Sequence, residues 1–90
     1  MGQVAETLRR KLQTAFSPTK LEVEDDSARH AGHAGAAPGG ESHFNVLISA
    51  PAFEGMARVQ RQRAIHAVLA EELAGPVHAL SVRALAPGET

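Results

Sequence analysis

The order of helical and extended segments predicts an α+β two-layer sandwich, a three-stranded mixed sheet with both helices packed on one face. Three observations carry this reading. Apolar residues recur at helical spacing in two stretches, residues 3–16 and about 56–74. Three shorter stretches, 21–25, 44–48 and 77–85, put apolar side chains on one face with the period of two that a half-buried strand needs. The resulting order is α-β-β-α-β. Strands one and two can pair antiparallel, whereas the helix between strands two and three is a crossover that makes those two parallel.

In the first helix Val4, Leu8, Leu12, Ala15 and Phe16 form the apolar stripe, while Glu6, Arg9, Arg10 and Lys11 face elsewhere. Ser17-Pro18 ends it, because a residue before proline is pushed out of the α region. Leu21 to Asp25 alternates apolar and charged residues and forms strand one. Residues 27–41 form a long loop rich in Ala and Gly, with Pro38-Gly39-Gly40 near its end. Phe44 to Ile48 is strand two, and Pro51 to Gly55 break it and turn the chain. The second helix carries Ile65, Val68, Leu69, Glu72 and Leu73 at the right intervals and stops at Gly75-Pro76. Val77 to Leu85 is strand three, with His78, Leu80 and Val82 on one face, and Pro87 begins a tail. The expected core sets Phe44, Val46 and Ile48 under Leu8, Leu12, Leu69 and Leu73, leaving Arg9 and Arg10 exposed.

Composition bounds the function. Ninety residues make one small domain, residues 1–90, with a modest core. Nine basic against ten acidic residues give a formal charge of −1, so no global field draws the chain to nucleic acid or anionic lipid. Zero cysteine excludes disulfides and thiolate-only metal sites. No apolar run is long enough to span a bilayer and no signal-peptide pattern opens the chain, so a cytoplasmic protein without membrane contact is expected.

Histidine is then the best ligand available for a transition metal. His30 and His33 lie three apart in the loop, His43 begins strand two and His78 begins strand three. Without thiolates or a carboxylate in register these residues read equally as solvated polar groups, and a closed zinc site is not expected. Arg58, Arg61 and Arg63 cluster near the start of the second helix. They read either as a solvated face or as a phosphate-binding one, since planar guanidinium forks suit phosphate. Gly32-His33-Ala34-Gly35 spells the G-x-x-G of nucleic-acid-binding KH modules, but it lies between strands where that loop should lie between helices. Ser42 and His43 are adjacent, so on a strand they point to opposite faces, and no acid completes a triad. The chain is not expected to be an enzyme, and no small-molecule substrate is implied.

Taken in order, LEVEDDS at 21–27, HAGH at 30–33, GGESHFNVLI at 39–48, FEG at 53–55, RVQRQR at 58–63, LAEEL at 69–73 and VHALSV at 77–82 resemble the BolA family. The resemblance runs from Leu8 to Pro87. It implies a class II KH-like fold and two activities. One is pairing with a monothiol glutaredoxin to hold or deliver a bridging 2Fe–2S cluster, with glutathione completing the ligand set and no cluster in the isolated protein. The other is DNA binding and transcriptional control of stress response and cell morphology. For the cluster role the resemblance implies His78 and a loop histidine as ligands, with His30 the better match by distance from strand one and His33 an open alternative. For the DNA reading, the residues on the KH-like face are the clustered Arg58, Arg61 and Arg63 noted above. The chain departs from the family where Arg-His-Arg is common, reading Arg61-Gln62-Arg63. The family's short C-terminal helix is expected to be short or missing.

Overall fold

The computed structural model describes residues 3–25 and 43–89. Its elements are α1 (Gln3–Phe16), β1 (Lys20–Asp25), β2 (His43–Ser49), a 3₁₀ turn (Pro51–Phe53), α2 (Arg58–Val68), α3 (Ala70–Ala74) and β3 (Ala79–Leu85). The sheet order is β1-β2-β3, with β1 antiparallel and β3 parallel to the central strand. The predicted α+β arrangement is therefore present, including its mixed sheet.

The sheet turns one face to the helices. Phe44, Val46 and Ile48 are buried on that face of β2, and the intervening residues of β2 are half-buried on the other. Leu8 and Leu12 of α1, Ile65 of α2 and Leu69 cover them completely. Each fully buried Leu, Ile or Phe contributes about 1.5–3 kcal/mol relative to exposure, so this small aliphatic layer holds the fold. Leu73 joins it half-buried, whereas Ala15, counted in the stripe of the first helix, is exposed. Arg10 is exposed and Arg9 pairs at the surface with Glu6 at 2.6 Å.

Two local differences from the expected elements matter later. The second helix is not continuous over 56–74. It starts at Arg58, where the Gln60 side chain accepts the Ala57 N–H at 3.0 Å, and it breaks at Leu69 (φ −102°, ψ 19°). No Gly or Pro marks that break. Tertiary contacts hold it instead: Leu69 is fully buried, and Lys11 of α1 reaches Glu71 and Glu72 of α3, each at 2.9 Å. The other difference is Phe53. Read as part of a turn, it is fully buried, its ring 5.0 Å from that of Phe16 at the end of α1. An aromatic pair at this distance adds to burial itself, and it anchors the turn from which α2 departs.

Candidate functional site

At one end of the sheet, β1 finishes at Asp25, β2 begins at His43 and β3 begins at Ala79. The register sets Asp25 against Phe44 and His43 against Ala79. His78, one residue before Ala79, therefore stands at the same sheet end as His43. It does not lie within the strand as expected. It is exposed, while Leu80 and Val82 are half-buried among the core side chains. His43 does begin its strand and is half-buried. His30 and His33 lie outside the described residues. The segment that carries them, 26–42, leaves the sheet at Asp25 and re-enters at His43, the end that holds His78. Among the described residues no group of three His, Cys, Asp or Glu stands together to hold a metal. What this end offers is an accessible imidazole at a fixed backbone position, a partial ligand set.

The arginines resolve differently. Residues two apart on a helix point about 200° apart, so Arg61 and Arg63 cannot share a face. Arg63 is exposed. Arg61 is 7% exposed and turned inward, the buried charged residue among the described residues. Its Nε donates to the Met56 carbonyl at 3.0 Å and Nη1 to the Ala84 carbonyl at 3.1 Å. Nη1 and Nη2 also donate to the two carboxylate oxygens of Glu89 at 2.6 and 3.1 Å. Reading Arg61 as a phosphate contact beside Arg58 and Arg63 is thus corrected: its charge is spent joining the turn before α2, strand β3 and the segment after it. Gln62, at the position that departs from the family, donates its side-chain amide to the Val82 carbonyl at 2.9 Å.

Glu89 reaches Arg61 because the chain folds back behind β3. Ala86-Pro87-Gly88-Glu89 forms a turn in which the Glu89 N–H donates to the Ala86 carbonyl at 3.0 Å, and Gly88 takes a positive φ of 86°. Proline followed by such a glycine is the type II pattern. The Glu89 carboxylate also accepts the Ala86 N–H at 2.8 Å. Its hydrogen bond to Arg61, then that to Ala86, hold the carboxyl at about 2, down from 4.5. Arg83, which the sequence reading passed over, lines the same cavity of about 590 Å³ as Arg58, Arg61 and Glu89. Its signal was available in the strand period, which sets Arg83 opposite in sense to the core-facing Val82 and Ala84.

Comparison with known proteins places these features in a lineage. The family model described as BolA-like protein matches residues 12–89. The chain is 45% identical over 89 residues to BolA-like protein 1 of Homo sapiens, covering 99% of this chain and 62% of that protein. It is 44% identical over 88 residues to Protein BOLA1, chloroplastic, of Arabidopsis thaliana, covering 96% of this chain and 55% of that one. The chain thus spans under two thirds of the length of these relatives. Among solved structures, the BolA domain of SufE1 from Arabidopsis thaliana superposes with a TM-score of 0.87 at 42% identity, over 100% of this chain and 99% of that one.

Proposed function

Because the chain belongs to the BolA-like protein family, we propose that it is an adaptor that pairs with a monothiol glutaredoxin and holds or transfers a 2Fe–2S cluster with it. One observation carries the reading: His78 is exposed at the sheet end where residues 26–42, with His30 and His33, leave and rejoin the sheet. A cluster iron takes imidazole as well as thiolate, and histidine ligation raises its potential relative to an all-thiolate cluster. This chain has no thiolate to give. A partner cysteine and glutathione would supply the rest, so the chain alone holds little and the mixed complex holds the cluster. His78 is the fixed ligand in this reading, and His30 or His33 the second. No helix among the described residues is long and apolar enough to cross a membrane, and we assign the adaptor to the cytoplasm.

The test mixes the protein with a cluster-loaded monothiol glutaredoxin and records the visible spectrum. His78→Ala should keep the fold and the partner contact yet lose the histidine-type spectrum, and His30→Ala should weaken it more than His33→Ala. An unchanged spectrum and cluster lifetime with His78→Ala would sink the ligand assignment. The second reading, a DNA-binding regulator, retains exposed Arg58 and Arg63 but not Arg61.

A further inference from the structure

The helices cover one face of the sheet, and on the other a shallow groove of about 440 Å³ is lined, among the described residues, by the three strands alone. The register orders this outer face in rows. Glu22 stands beside Leu47, and Leu47 beside Arg83. The next row is Glu24, Asn45 and Ser81. Acid therefore lies along β1 and base on β3, with the half-buried Leu47 between them. Glu22 and Arg83 are two strand spacings apart, about 10 Å at the backbone, with Leu47 in the way. Glu22 has Lys20 at 3.7 Å, an exposed pair that contributes little. Glu24 accepts a hydrogen bond from the Asn45 side-chain amide at 3.2 Å. Among the described residues, Arg83 makes no ion pair.

We propose that this face docks a second copy of the chain, outer face to outer face, about a two-fold axis running along β2. A two-fold interface is made by one patch on both copies, so whatever residue i meets as j, j meets as i. Half a turn about β2 lays β1 of each copy over β3 of the other. Glu22 then meets Arg83 of the second copy, Arg83 meets its Glu22, and Leu47 meets Leu47 at the axis. Half a turn about the axis across the strands would instead set Glu22 on Glu22 and Arg83 on Arg83, so the charges admit one of the two aligned arrangements. The charged residues of these rows and the next, Lys20, Glu22, Glu24 and Arg83, sum to zero. Nothing in such a face draws a strongly charged partner, whereas its pattern is complementary to itself, and a formal charge of −1 on the whole chain gives little repulsion between copies. Aligned sheets pack about 10 Å apart with strands crossing at about 30°, a gap that Glu and Arg side chains span. The face measures about 23 by 14 Å. That is small against the roughly 800 Å² per partner of a standard interface, so the dimer dissociates readily. Leu47 lies about 13 Å along β2 from His43, which separates this contact from the histidine end.

The experiment follows sedimentation and amide signals of the isotope-labelled full chain on dilution at low salt. The wild type should dimerise with a dissociation constant of order 0.1 mM, and the amides of Glu22, Leu47 and Arg83 should shift with concentration. Glu22→Arg alone and Arg83→Glu alone should each weaken the dimer at least about tenfold, because the two-fold axis repeats every lost pair and sets like charges together. Mixed in equal amounts, these two variants should pair with each other about as well as the wild type pairs with itself, since every contact is opposite in charge again. One chain carrying both swaps should also dimerise. Arg63→Glu, on α2, should leave the affinity unchanged. The restored pairing between two different variants is the decisive result, because a rearrangement within one chain cannot produce it. A wild type that stays monomeric well above that concentration would overturn the proposal, as would single swaps that dimerise normally or a mixture that fails to pair. Magnetisation transfer from residues 26–42 to Leu47 that persists on dilution would assign the face to the chain's own segment and overturn it as well.

Discussion

Strand β3 joins two polar regions built on contrary plans. Just before its first residue stands His78, exposed, with His43 across the sheet end. Beside its last residues stands Arg61, buried and hydrogen-bonded to Met56, Ala84 and Glu89. The first region leaves the His78 imidazole exposed at the surface. The second consumes its donors internally. Both involve residues that look alike in sequence, polar side chains near element boundaries, and burial separates them: Arg61 is inside and His78 is at the surface. A buried guanidinium must be satisfied or it destabilises the fold, whereas an exposed imidazole has no such obligation.

This contrast can be broken by mutation, and the largest effect should fall at the arginine. Arg61→Ala leaves the Met56 and Ala84 carbonyls without their donor and frees Glu89, so in a thermal melt it should cost stability well beyond the roughly ±0.5 kcal/mol of ordinary surface changes. Arg61→Lys should recover little, because one ammonium cannot present the planar fork that meets three segments. His78→Ala should stay inside that range in the same melt. If the two variants melt alike, the distinction between a filled and an open region fails.

A smaller effect should separate the arginines on DNA, if the chain binds it. Replacing Arg58 and Arg63 should reduce the slope of log affinity against log salt by about one unit per lost phosphate contact. Arg61→Ala should weaken folding without changing that slope. A slope that drops with Arg61→Ala at a temperature where the variant is folded would return Arg61 to the interface.

Acid should sharpen the picture further. Glu89 titrates at about 2 in the folded protein against an ordinary 4.5. A carboxyl depressed by folding contributes stability that is fully present above its unfolded value and is lost as pH falls toward its folded one. Unfolding measurements between those two values should show the wild type losing stability with acid and Glu89→Gln losing less. Parallel curves would mean that Arg61 does not hold the carboxylate in solution. The smallest change is expected at Lys11, whose pKa is raised by hydrogen bonds to Glu71 and Glu72. Lys11→Ala should speed amide exchange in residues 70–74 and leave the global melt nearly unchanged.

Much of this was legible in the chain. Residues 3–16 are helical to both ends, because the stripe is long and Pro18 dictates the stop. All three strands and their pairing followed from period and order. The break at Leu69 was not legible, since it goes with a buried leucine and with a lysine sixty residues before its partner Glu71. Phe53 was hidden by its neighbours: Pro51 and Gly55 announce a turn and say nothing of which way its aromatic points. The arginine cluster failed on arithmetic that the sequence did contain, since an Arg-x-Arg pair on a helix cannot serve one surface. Arg83 lay on a strand and so never joined a helix-based count. Of the histidines, residue type and order gave the candidates, and the register added that His78 and His43 share one end of the sheet.

The bonds from α2 to β3 have one more consequence. A strand with a neighbour on one side only leaves carbonyls on its free edge, a template on which another chain can crystallise as an extra strand. On β3 the carbonyls of Val82 and Ala84 are taken by Gln62 and Arg61. The two side chains act as a fastening along the open border of the sheet and occupy carbonyls that an added strand would need.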